Sequence, residues 1–163
     1  MAATAFPYTE QSPVSAVTED PVLGRAARLV VPLNRGYFHG KTLGELSLTW
    51  YSHIDPRMTV TVINDLHSRA ERGEPVFFEI YSGEEQARDP SLKDTGLFFF
   101  KGRKDAPFAL CLAGGGFAYV GSIHYSFPHA YTLAGHGYNA FALIYRPDAR
   151  EALQDTARAF LHP

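Results

Sequence analysis

The residues best placed to do chemistry without a side chain are Gly114, Gly115 and Gly116, followed by Phe117. They end the apolar run 108–113, so side chains vanish where a strand must give way to a turn. Glycine lets backbone N–H groups approach a ligand, or a developing negative charge, in conformations that a β-carbon forbids. A phosphate loop is one candidate: Gly116 and Gly121 have its spacing, but Ser122 stands where its lysine belongs. A dinucleotide fingerprint counted from Gly114 requires a third glycine where Tyr119 stands. What remains is an oxyanion hole, where a backbone N–H meets an alkoxide and one lost donor costs roughly 3–4 kcal/mol, or a turn whose glycines serve packing alone.

Side-chain catalysts are scarce around this loop. No serine has glycine two positions before and two after it, so the strained elbow that presents a hydrolase nucleophile is missing from the sequence. Ser122 and Ser126 lie near the glycines without that setting. His124 and His129 are close by, and without a nucleophile they read as loop-shaping or helix-capping residues. Asp148 reads as a helix cap, Asp155 as a carboxylate on a solvated helical face, and Cys111, the single cysteine, as a small core residue. The seven histidines are scattered, with neither HxxxH nor HExxH spacing, so no metal site is expected, and no cofactor. The catalytic set expected within the chain is empty, and the site expectation is the loop Gly114, Gly115, Gly116 and Phe117.

A loop of this kind needs a scaffold, and the surrounding pattern supplies one. Asp55 and Pro56 start a helix in which Met58, Val62, Ile63, Leu66 and Ala70 recur at helical spacing until Gly73. Upstream, Leu46, Leu48 and Trp50 alternate with polar residues as in an extended segment. Residues 75–81 and 97–100 read as strands, separated by a short helix whose capping box is Ser82 with Glu85. The run 108–113 reads as a strand covered on both faces. A helix from Pro128, a strand over 139–146 and a last helix opened by a capping box of Asp148 with Glu151 complete the pattern. Leu153, Ala157, Phe160 and Leu161 share one face of that helix and predict its buried side. Strands alternating with helices predict an α/β fold with a mostly parallel sheet and flanking helices.

At 163 residues the chain is long enough for one folded domain, with 45% hydrophobic and 20% charged residues excluding wholesale disorder. Residues 1–27 lack periodicity and read as a mobile arm, leaving 28–163 as the domain. A net charge of −2 without a basic block argues against a nucleic-acid partner. No apolar run of about 18 residues and no export signal is present, so no membrane span is expected and residence is cytoplasmic.

The wording of residues 113–146, AGGGFAYVGSIHYSFPHAYTLAGHGYNAFALIYR, is similar to bacterial esterase/lipase-like members of the α/β-hydrolase superfamily, which read GGGF-x-YVGS, then FPHA, then GYNAF-x-L-x-YR. RGYFHGKTLGELSLTWYS, VFFEIYS and TGLFFFKG resemble the N-terminal extension of the same group, so the likeness covers residues 29–163. It implies the N-terminal half of an α/β-hydrolase three-layer sandwich with strand order 1-2-4-3-5-6-7-8, ending before the nucleophile strand. In that frame the backbone N–H groups near Gly116 and Phe117 are the oxyanion donors. Ala113 stands where the HGGG form of the loop has histidine, so a bracing side chain is missing. Nucleophile, acid and histidine would all lie beyond residue 163.

The implied function is the N-terminal portion of a serine carboxylic-ester hydrolase, inactive alone and meeting a small-molecule ester when completed. The alternative is a non-catalytic binding or regulatory half-domain that pairs with a second chain through an open sheet edge, or uses the glycine loop as an anion nest. In either case the strand 108–113 loses its outer neighbour and offers an apolar edge.

Overall fold

A computed structural model describes residues 6–31, 36–49 and 54–161. Trp50 and Tyr51, which belong to the extended segment expected from the alternation, lie outside the described residues. The chain divides into two compact units, Met1–Glu74 and Pro75–Pro163.

In the first unit the helices α1 (Val14–Thr18), α2 (Ala27–Val30) and α3 (Pro56–Glu71) accompany a small hairpin of β1 (Phe38–His39) and β2 (Ser47–Leu48). Helix α3 begins as its sequence dictates. The Asp55 carboxylate accepts from the N–H groups of Arg57 and Met58, Pro56 occupies the first turn, and Gly73 follows the end at a φ of +74°. Val62, Ile63 and Leu66 are fully buried along it.

The segment without periodicity, 6–27, is ordered by contacts that no local pattern announces. Val17 and Tyr8 are buried, the Tyr8 hydroxyl donates to Asp20 at 2.8 Å, and Nδ1 of His67 on α3 lies 2.6 Å from the same carboxylate. Asn64 of α3 also holds the backbone N–H and C=O of Tyr8.

The second unit carries the sheet. Its strands are β3 (Phe77–Phe78), β4 (Gly96–Phe100), β5 (Phe108–Leu112) and β6 (Asn139–Ile144), in the order β3-β4-β6-β5. Its helices are α4 (Gly83–Arg88), α5 (Ser126–Gly135) and α6 (Ala149–Phe160). The expected capping box of Ser82 with Glu85 opens α4.

The fold class is α/β, but the sheet is mixed, not mostly parallel. β3 and β4 pair antiparallel, β4 and β6 pair antiparallel, and only β5 and β6 are parallel. Link lengths explain part of this. The short link 101–107 between β4 and β5 cannot carry the crossover that parallel strands need, whereas α5 lies between β5 and β6 and provides one.

Two further expectations change. β5 is not a strand covered on both faces: it is the outer strand of the sheet, and Phe108 and Leu112 are about half exposed. On α6, Leu153, Ala157, Phe160 and Leu161 face solvent, while Ala152, Asp155 and Ala159 are the buried side. Asp155 sets this rotation. It is fully buried and accepts from the backbone N–H of Arg146 at 2.8 Å, Nη2 of Arg146 at 2.8 Å and the Tyr81 hydroxyl at 2.6 Å.

Among the described residues no helix is long and apolar enough to cross a membrane.

Candidate functional site

β5 and β6 are parallel, with Leu112 opposite Leu143, so their C-terminal ends emerge together and the glycine loop leaves the sheet beside the end of β6. Open α/β sheets place ligands outside the carboxyl ends of their strands. Tyr145, buried just past β6, donates its hydroxyl to the Ala113 carbonyl and ties the start of the loop to the neighbouring strand. The loop then closes on itself: the Gly121 N–H donates to the Gly114 carbonyl at 2.9 Å and the Ala118 N–H to the Gly115 carbonyl at 3.0 Å.

Between these ties the backbone takes three consecutive positive φ angles, +154° at Gly115, +59° at Gly116 and +58° at Phe117. At Gly115 glycine is obligatory, because a β-carbon there would lie 1.8 Å from the Tyr119 carbonyl oxygen. At Phe117 no glycine relieves the strain. A bulky residue held at such an angle costs of order 1–3 kcal/mol, and such outliers concentrate at ligand and active sites. Among the described residues no hydrogen bond uses the N–H of Gly116 or Phe117. Two successive donors in one left-handed turn are therefore available to a negatively charged atom.

The side chains around the loop are neutral. Burial pulls the His124 imidazole down to about 4, so it is uncharged near neutral pH. Its ring nitrogens are shielded from solvent, and the ring packs on Gly121, where a β-carbon would come within 2.7 Å of Cε1. Burial raises the Tyr119 and Tyr145 hydroxyls above the usual phenol range, which keeps both protonated. The polarity offered at the loop is that of backbone dipoles.

The expected site residues Gly114, Gly115, Gly116 and Phe117 thus form one turn, with Phe117 exposed. The serines nearby do not join it: Ser122 and Ser126 are fully buried, out of reach of a substrate. His129 is exposed on α5, and the Cys111 thiol, half buried in β5, is pushed up by burial and stays protonated.

Asp148 caps α6, accepting from the N–H groups of Arg150 and Glu151 at 2.9 and 3.1 Å. Glu151 does not reach back to complete the expected box; its carboxylate lies 3.1 Å from Nη1 of Arg146. Asp155 is not on a solvated face but at the centre of a buried ion pair. Its hydrogen bonds lift the Arg146 guanidinium above its ordinary range, and burial, then the bond to Asp155, pushes the Tyr81 hydroxyl up to about 12.

Sequence reasoning did not reach Tyr145 or the Arg146–Asp155 pair. The only trace of either is a polar pair, Tyr145–Arg146, directly after an apolar strand.

No family model, no curated protein and no solved structure matches this chain.

Proposed function

We propose that this chain is the oxyanion-hole portion of a cytoplasmic serine carboxylic-ester hydrolase of the α/β-hydrolase kind, supplying the donor loop while a nucleophile, acid and histidine come from polypeptide outside residues 1–163. The observation that carries the reading is the left-handed turn at Gly116 and Phe117 with both N–H groups unused, at the end of a parallel strand. Backbone donors fixed in advance stabilise a developing alkoxide because they need not reorganise when charge appears. The strained Phe117 is expected of a loop kept for such a purpose.

The sheet supports the same reading. Counted in chain order, its strands run 1-2-4-3, the opening of the order that the sequence resemblance implies, and β5 offers the next position. Tyr145 supplies, from the neighbouring strand, a brace for the loop at Ala113.

The test is a ¹⁵N-amide titration of the chain with butyrate, a carboxylate like the acid product of ester cleavage. The Gly116 and Phe117 amides should shift selectively and saturably, and no shift at either discards the loop assignment. The purified chain should leave p-nitrophenyl butyrate intact; turnover blocked by a serine-directed phosphonate would discard the half-enzyme reading.

A second reading, favoured by the free edge of β5, is a non-catalytic half-domain that pairs with another chain. An assembled complex that cleaves ester supports the first reading, and one that assembles without cleaving supports the second.

A further inference from the structure

We propose that, when no other polypeptide takes the edge of β5, the chain pairs with a second copy of itself through antiparallel β5–β5 contact, joining two sheets across a two-fold axis at Leu110. This does not rest on the ester-hydrolase reading; it uses only the edge and the helix beside it.

β5 is Phe-Ala-Leu-Cys-Leu with one neighbour, β6, among the described residues, so its outer backbone groups face away from the sheet. Sheet edges are ordinarily guarded by charge, proline or shortness. The opposite edge has such guards: β3 is the pair Phe77–Phe78, with Pro75 and Glu79 close on either side. Pro107 stands directly before β5, but the five residues of the strand itself carry neither charge nor proline, so nothing along it repels a like copy.

The strand is also self-complementary. Turned about Leu110, Phe108 meets Leu112 of the second copy, Ala109 meets Cys111, and Leu110 meets Leu110. Phe108, Leu110 and Leu112 share one face of β5 by the two-residue period. A two-fold axis perpendicular to the sheet keeps all three on that same face in both copies. Phe108 and Leu110 line one trough with Phe160 of α6, so the exposed end of α6 lies on this face too, and the two α6 helices would flank the axis together.

Phe108 is 52% exposed, Leu112 49% and Phe160 53%. At ~150–250 Å² per buried ring, the two phenylalanines leave roughly 200 Å² uncovered. Leu112 brings the patch to the order of 300 Å², part of the ~800 Å² per partner in a standard interface, and the strand backbone adds to it. An isologous contact closes at two copies.

Sedimentation equilibrium on the full chain tests this together with three variants. The unmodified chain should run at twice its 18.0 kDa mass. Phe108→Lys and Leu112→Glu should each weaken the dimer at least tenfold. The double variant should regain it, because each introduced ammonium then faces an introduced carboxylate across the axis. On the unmodified chain, hydrogen exchange at 108–112 should slow as concentration rises, a readout that needs no substitution. A monomer at the highest soluble concentration, growth past the dimer, or a dimer indifferent to both substitutions with unprotected 108–112 amides overturns the proposal.

Discussion

On one face of the β3-β4-β6-β5 sheet, Phe98 and Phe100 meet Phe127 of α5, and all three are buried. On the other, Phe99 stacks on Phe141 with ring centroids 4.8 Å apart beneath a trough of about 210 Å³ that α6 covers only in part. The first face is closed by apolar packing. The second is held chiefly at its margin by charge: Asp155 binds Arg146 at the end of β6, and Arg158 donates to the Ile80 carbonyl at 2.9 Å and to Glu85. A helix positioned by an ion pair need not bury its apolar stripe to stay in place. That leaves Phe160 exposed beside β5, with Leu153 and Leu161 also exposed, so the α6 face keeps apolar surface in solvent where the α5 face has buried it.

The difference can be broken from either side. Asp155→Ala leaves the Arg146 guanidinium buried without its main partner and should cost about 3–5 kcal/mol in a urea unfolding curve. Phe127→Ala on the closed face should lose a comparable ~3–5 kcal/mol by opening a cavity. Phe160→Ala on the open face should change stability by less than about 0.5 kcal/mol while weakening self-association. Equal losses for the two phenylalanines would mean that the faces are not held differently.

Gly115→Ala forces a β-carbon against the Tyr119 carbonyl at a φ of +154° and should cost roughly 1–3 kcal/mol. It should also abolish the butyrate response of the Gly116 and Phe117 amides while leaving the α6 face unchanged by hydrogen exchange.

A further expected effect is of pH. The folded His124 is pulled down to about 4 by burial, below the ordinary imidazole value near 6.5. Between those values the unfolded chain takes up a proton that the folded chain refuses. Stability is full above about pH 6.5 and falls as pH drops toward 4, by on the order of 1 kcal/mol once solvent screening of a half-buried ring is allowed for. His124→Phe should flatten that slope in urea curves taken from pH 7 to pH 4.5.

Local signals were readable where local physics decides. Asp55, Pro56 and Gly73 bound α3 because capping and left-handed termination involve neighbours in sequence. Ser82 with Glu85 behaved likewise at α4. The glycine loop was legible as a turn because consecutive glycines after an apolar strand free the backbone from strand geometry. Asp155 was not legible, since a carboxylate on a helix looks the same whether it meets water or an arginine brought from β6. The covering expected for β5 also failed, because an apolar run reports that a strand tolerates burial and not that a neighbour exists to bury it.

By itself, then, the sequence determined the positions of the main helices and of the strands near the glycine turn, most of their caps and the turn itself, all of them interactions spanning a few residues. Only the tertiary structure decided that the sheet is mixed, that β5 lies at its edge, that α6 turns its apolar stripe outward, and that Tyr145 braces the loop. Those outcomes depend on pairings between distant segments, and neither spacing nor composition encodes which partner arrives.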